Sequence, residues 1–251
     1  MNALENKVAV VTGAARGIGA AIAKEFAAEG AAIVVNDVGE QIAAANAVAD
    51  HINTEGGRAI AVAADVSKSQ EVERLFDSAI AEYGTLDVLV NNAAVYVFEP
   101  VEQVTEAGFL RHFTTNVLGD ILTIQQAIKH FGQKGGSVIN LSSQGAANPP
   151  LYSSVYSSTK GAINSLTLEL ARELGPRGIR VNALSAGATA TEGAAGLGVH
   201  EGSVYAAEFA SLTPLGRLGT AEDLAKAAVF LASDNARWIT GAVLKASGGM
   251  I

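Results

Sequence analysis

Seven short apolar runs, most of them β-branched, punctuate this chain at 8–11, 31–36, 59–63, 86–91, 137–141, 179–184 and 242–245. Each is continuous rather than alternating, the pattern of a strand covered on both faces of a parallel sheet. Between the runs lie amphipathic stretches. In one, Ile42, Ala45, Ala49 and Ile52 recur at helical spacing until Gly56-Gly57 ends it. Another runs from about residue 153 to 174 and stops before Gly175-Pro176. Regular alternation of strand and helix demands right-handed crossovers, so the predicted fold is α/β: a doubly wound parallel sheet with helices on both faces.

The chain of 251 residues suits one domain over residues 1–251, with no Pro/Ser-rich linker or charge run to divide it. Apolar residues make up 49%, yet no apolar run approaches the roughly 20 residues that span a bilayer. Residues 1–7 lack the basic and apolar regions of a signal peptide, so a cytoplasmic location is expected. Cysteine is absent, which excludes disulfides, thiolate zinc sites and thiol nucleophiles. The net charge of −8 argues against nucleic acid or an acidic membrane surface as a partner. His51, His112, His130 and His200 show no metal-ligand spacing, so no metal is expected.

The first strand runs into Gly13-Ala14-Ala15-Arg16-Gly17-Ile18-Gly19, with a helix expected to about Glu29. Glycines there let the backbone turn tightly and approach a pyrophosphate, whose charge rests on the helix N-terminus. Asp37, ending the second strand, is placed to hydrogen-bond the adenosine ribose hydroxyls. A glycine turn also occurs without a ligand, and a strand-end carboxylate is often merely solvated; together the two favour a dinucleotide. Asp65-Val66 ends strand three, where it would border the adenine, and Asn92-Ala93 ends strand four along the cofactor's path.

Tyr156 and Lys160 fall on one helix face at i, i+4, and Ser143 ends the fifth strand. A free phenol titrates near 10, too high for a ready base at neutral pH, and a nearby ammonium would lower it. Tyr156 would then pass a proton to or from a substrate oxygen that Ser143 also binds. The plainer alternative is a surface tyrosine and a turn serine. Neither Ser142 nor Ser143 lies in a Gly-x-Ser-x-Gly elbow, which removes the hydrolase reading.

The set Thr12-Gly13-x-x-x-Gly17-x-Gly19, Asn91-Asn92-Ala93, Asn116, Ser143, Tyr156-x-x-x-Lys160 and Ile179-Arg180-Val181-Asn182 resembles the short-chain dehydrogenase/reductase family. The tail, with Pro214-Leu-Gly-Arg-Leu-Gly219 and Ile239-Thr-Gly241, resembles it too, so the likeness covers the whole chain. It implies a single Rossmann-type domain with seven parallel strands and a Ser-Tyr-Lys site assisted by Asn116, which would hold a water linking Lys160 to solvent. Lys160 would also grip the nicotinamide ribose, and Gly187, Thr189 and Thr191 would lie beside the nicotinamide. Family members are usually homotetramers. Two departures stand out: Ala94 replaces the usual glycine after Asn-Asn-Ala, and Ala186 the usual proline before Gly187.

The leading expectation is an NAD(H)-linked enzyme for a secondary alcohol or ketone. Arg16 favours the rival, an NADP(H)-linked 3-oxoacyl or general carbonyl reductase, and a glucose 1-dehydrogenase-like sugar substrate is a further alternative. A non-catalytic dinucleotide-binding protein is the alternative of another class. Residues 189–212 are read as a substrate lid, rich in glycine and carrying Leu197 and Tyr205. With Tyr96, Gly145 and Tyr152 these would frame a neutral, mostly apolar pocket. Helices over about 105–130 and 153–174 are expected at a subunit interface, with the final strand and Trp238 at a second.

Overall fold

The protein is described here by a computed structural model covering residues 2–196, 198–200 and 202–250. In chain order its main elements are β1 (Val8–Val11), α1 (Gly17–Ala28), β2 (Ala32–Asp37), α2 (Ile42–Thr54), β3 (Arg58–Ala63), α3 (Ser69–Tyr83), β4 (Val88–Asn91), α4 (Glu106–Phe113), α5 (Gly119–His130), β5 (Gly136–Ser143) and α6 (Ser154–Leu174). There follow β6 (Ile179–Ala186), β7 (Thr189–Ala190), α7 (Glu192–Ala195), α8 (Val204–Leu212), β8 (Gly219–Thr220), α9 (Ala221–Ala232) and β9 (Val243–Ala246). Seven strands form one parallel sheet in the order β3-β2-β1-β4-β5-β6-β9. This is the Rossmann-type doubly wound arrangement, with the reversal of strand order between β1 and β4.

Side chains alternate between two apolar layers, as the period of a strand requires. Ala9, Val11, Ile33, Val35 and Val90 pack under α1, α2 and α9 against Ile22, Phe26, Leu224 and Leu231. Val10, Val34, Leu89, Val138 and Val181 pack on the opposite face against Leu75, Phe76, Ile124 and Leu174. Both faces are thereby buried, which explains the unbroken apolar runs.

The strands agree with the sequence to within one or two residues, and the differences are informative. β5 and β6 each run two residues beyond the apolar stretch, so Ser143 is still in register, opposite Ala186. The helix expected over 105–130 is interrupted. Thr114–Leu118 form a π-helical turn, in which the Gly119 amide donates to the Thr114 carbonyl five residues back. Such turns insert one residue into the helical repeat and gather at functional sites. The short pair β7 and β8 was not anticipated; it ties Thr189 to Gly219 and Ala190 to Thr220.

Candidate active site

At the C-terminal edge of the sheet, β1 passes into a turn that only glycine fits. Gly13 and Gly17 have φ of 60° and 57°. A Cβ on Gly13 would stand 2.7 Å from the Cα of Ala93, and one on Gly19 would collide with the Gly13 carbonyl and the Asn92 side chain. Asn92 holds the turn by donating to the Thr12 and Gly13 carbonyls at 2.9 and 2.8 Å. The Thr12 hydroxyl accepts from the amides of Asn92 and Ala93 at 3.0 and 3.1 Å, which clamps β4 to β1 at the switch point. Thr12 belongs to this site more fully than its place before the glycines suggested.

Asp37 accepts from the Ala15 amide through Oδ2 at 3.0 Å and from Val38 through Oδ1 at 2.9 Å. Its carboxylate therefore stands at the mouth of the glycine turn. Arg16 precedes α1 with extended backbone and an exposed side chain, and Ile18 packs partly against the first core layer. Burial works against the charge of Asp65, but hydrogen bonds from Ser67 and the Lys68 ammonium hold its carboxyl below the ordinary range. Val66 is packed in the second core layer, so its side chain is structural.

A carboxylate already occupies the amide end of α1. The Gly17 amide donates to Glu192 Oε2 at 3.1 Å, from the first residue of α7. Thr191 caps α7 by accepting from Ala194 at 3.1 Å. Its Cγ2 would lie 3.7 Å from a Cβ on Gly17. Thr189 is buried and bonded to the Gly187 carbonyl at 2.9 Å. Gly187 must be glycine, since a Cβ there would stand 2.7 Å from the Cα of Ser247.

Ser143, Tyr156 and Lys160 come together beside this turn. The Ser143 hydroxyl accepts from the Gly145 amide at 3.1 Å and hydrogen-bonds the Tyr156 phenol. Gly145 is buried against Ser157 and Ser143, which makes it a support of the serine. Lys160 is buried, its Nζ 5.9 Å from the centre of the Tyr156 ring and bonded to the Leu141 carbonyl at 2.7 Å. Here one expectation fails. The Tyr156 phenol is not lowered by the lysine: burial raises its pKa, and Ser143 offsets this in part. The ammonium has turned to Leu141, and burial lowers its own pKa while the charge of Asp120 raises it. Tyr156 is thus held as a phenol, in the protonated form that donates.

Asn116 lies at the centre of the π turn. Its side chain accepts from Val95 N at 2.8 Å and donates to Val95 O at 2.9 Å and Thr159 Oγ1 at 3.1 Å. Both amide hydrogens are spent on anchoring, so its side chain donates to the loop after β4 and to α6 rather than toward Lys160. His112 supports the same loop: the Val97 amide donates to Nε2 at 3.0 Å, and Nδ1–H donates to the Gly108 carbonyl at 2.8 Å.

That loop puts aromatic walls on Tyr156. Tyr96 meets it edge-on, centroids 6.2 Å apart, and Phe98 lies at 5.9 Å. The Tyr96 hydroxyl also fills the space that a Cβ on Gly193 would take, linking Tyr156 to the segment after β7. Phe98 was overlooked in the sequence because nothing there ties it to Tyr156. Tyr152 stands apart, exposed, with φ of 66° and its carbonyl accepting from Glu99 at 2.8 Å. Tyr205 is exposed on α8, its ring beside Gly198. Leu197 falls outside the described residues. Among the described residues there is no cluster of metal-ligating side chains and no helix long and apolar enough to cross a membrane.

A family profile described as enoyl-(acyl carrier protein) reductase matches residues 13–251. An uncharacterised oxidoreductase of Methylorubrum extorquens is 51% identical over 250 residues, with 100% of both chains covered. A 3β-hydroxysteroid dehydrogenase of Eggerthella lenta is 39% identical, covering 98% of this chain and 94% of its own. Among solved structures, a short-chain dehydrogenase of Burkholderia cenocepacia in complex with NADP superposes with a TM-score of 0.92 at 34% identity, with 99% of each chain covered.

Proposed function

The chain belongs to the short-chain dehydrogenase/reductase family, an oxidoreductase family acting on CH–OH groups with a nicotinamide cofactor, and from that premise we propose that it interconverts a neutral, mostly apolar ketone and its secondary alcohol with NAD(H). The observation that carries the reading is the Tyr156 hydroxyl, bonded to Ser143 and flanked by Lys160, Tyr96 and Phe98.

The glycine turn, a cradle that a Cβ would fill at Gly13 and Gly19, fits a pyrophosphate, and the Glu192 carboxylate on the Gly17 amide supports an anion at that place. Gly13, Arg16, Gly17, Ile18 and Gly19 would hold that group, Asp37 the adenosine ribose, Asp65 and Val66 the adenine side. Asn92, Ala93, Gly187, Thr189 and Thr191 would line the nicotinamide side. The cofactor, when bound, supplies or takes up the hydride. The protein's own part is the proton. In reduction Tyr156 donates from its hydroxyl to the substrate oxygen while Ser143 hydrogen-bonds the same oxygen; in oxidation the phenolate accepts. Lys160, buried beside the Tyr156 ring, would bind the nicotinamide ribose.

Asp37 supports NAD over NADP. A 2′-phosphate about 5 Å from its carboxylate meets like charge worth roughly 3 kcal/mol at an effective dielectric near 20. Arg16 offsets part of this, so a preference of about tenfold to a hundredfold is expected. The apolar substrate follows from Tyr96 and Phe98, and the segment 189–212, with α8 largely uncovered, is read as the lid. A panel of ketones, steroids and sugars assayed with both cofactors tests the whole reading. Higher kcat/KM with NADP defeats the cofactor assignment, and efficient turnover of an anionic substrate defeats the pocket.

A further inference from the structure

Tyr96 stands in a loop that is fastened on both sides of it. The Val95 amide donates to Asn116 Oδ1 at 2.8 Å, and the Val95 carbonyl accepts from Asn116 Nδ2 at 2.9 Å. The Val97 amide donates to His112 Nε2 at 3.0 Å. Asn116 and His112 are both buried, and each is tied onward, Asn116 to Thr159 on α6 and His112 to the Gly108 carbonyl on α4. A residue whose two neighbours are pinned to buried side chains presents its ring in one place.

That ring spans a gap. It meets Tyr156 edge-on at 6.2 Å, and its hydroxyl sits where a Cβ on Gly193 would stand, with the ring carbon behind it 3.3 Å from the same point. Gly193 is the second residue of α7, in the segment read as the lid. Glycine is a poor helix former, and here it has a steric reason: a side chain at that position must turn Tyr96 away. Tyr96 therefore fills the space between Tyr156 and α7. From there the loop passes Tyr156 again at Phe98, 5.9 Å away, and ends with the Glu99 amide donating to the Tyr152 carbonyl at 2.8 Å. At that end Leu151 and Tyr152 are 81% and 59% exposed. The site is closed on the flank toward α7 and open on the flank toward Leu151.

We propose that Tyr96 is the specificity-determining residue of this site, closing the flank toward α7 against all but a small substituent. The substrate is then an unsymmetrical ketone or its secondary alcohol. A group the size of a methyl lies against Tyr96, and a large apolar group leaves past Leu151 and Tyr152. This role rests on the reading of Tyr156 as the group that meets the substrate oxygen. Gly193 belongs to the same device, because its missing side chain is what lets Tyr96 stand there.

The test is a series of phenyl alkyl ketones whose alkyl group grows from methyl to ethyl to propyl, reduced with whichever coenzyme the panel favours. Wild type, Tyr96→Ala, Gly193→Ala and the double variant Tyr96→Phe/Gly193→Ala are compared, with melting temperatures alongside. The readout is the ratio of kcat/KM along the series, in which a general loss of activity cancels. Wild type should lose about tenfold or more with each added methylene, and Tyr96→Ala less than about threefold. Gly193→Ala should relax the ratio as well, although it adds an atom, because its methyl turns Tyr96 out. The double variant should restore the wild-type ratio, since the methyl then takes the place of the missing hydroxyl. A flat series in wild type, or an unmoved ratio in folded Tyr96→Ala, overturns the proposal. If Tyr96→Ala does not fold, the Gly193 pair decides: a ratio that Gly193→Ala leaves unmoved, or that the double variant fails to restore, overturns it. A flat wild-type series leaves the ketone reading standing. If wild type reduces none of the three, that reading falls and the role of Tyr96 falls with it.

Discussion

Tyr156→Phe deletes one oxygen and nothing of the packing against Tyr96 and Phe98. It should lower kcat by at least about a hundredfold, the usual contribution of a general acid, with cofactor Kd changed less than about threefold. Stopped-flow and fluorescence titration separate the two, and retention of more than a tenth of kcat would place the proton donor elsewhere. The i, i+4 spacing of Tyr156 and Lys160 was legible because a helix converts spacing into proximity. What Lys160 bonds to was not, since Leu141 offers only its carbonyl and no sequence marks that. A faint signal did exist nearby: Asn116, Asp120 and Thr123 recur at i, i+4 and i+7 along one helix face, and all three are buried. Reading them as a buried set requires knowing that the π turn rotates them inward.

At the scale of elements, strands were legible and irregular helix was not. A parallel strand buried on both faces announces itself as an apolar run, whereas every residue of Thr114–Leu118 is compatible with an ordinary α-helix. Two-residue β7 and β8 are too short to carry periodicity, though they set where the lid leaves the sheet. At the start of α9, Thr220 and Asp223 form a reciprocal cap, and Arg217 pairs with Asp223 at 2.6 Å. The Arg217 side chain, with the Thr220 amide, brings the Asp223 carboxyl down to about 2. A carboxyl depressed in the folded state stabilises it above its ordinary value of 3.8, and that stability is lost as pH falls through about 2. Asp223→Asn should therefore lower the melting temperature at neutral pH slightly and flatten its decline between those two pH values. Equal slopes for both proteins in that window would contradict this.

For the molecule as a whole, the surface points to assembly. Phe109, Leu110, Leu118 and Leu168 are exposed on α4–α6 and the π turn, and Trp238 is 97% exposed beside β9. The tryptophan is not packed within its own chain, which leaves the interface expectation for it. A homotetramer with one contact at α4–α6 and another at β9 would cover both patches. Multi-angle light scattering at micromolar concentration should give about four times the 25.6 kDa chain mass; a stable monomer rejects it.

The hydrogen bond from Gly17 to Glu192 joins residues 175 positions apart, and with the coenzyme seated on the glycine turn as proposed, it would make binding an exchange of anions. On that reading an arriving pyrophosphate would have to displace the carboxylate from the Gly17 amide, and the tethered side chain would compete for the seat when the spent coenzyme leaves. Tenancy of that kind weakens apparent affinity by the fraction of time the seat is taken, and hastens departure. Glu192→Gln should accordingly tighten NAD binding about threefold or more and slow its release, measured by fluorescence quenching and stopped-flow displacement. An unchanged or faster release would mean that the carboxylate merely rests there, and that turnover is timed by something other than the return of a displaced side chain.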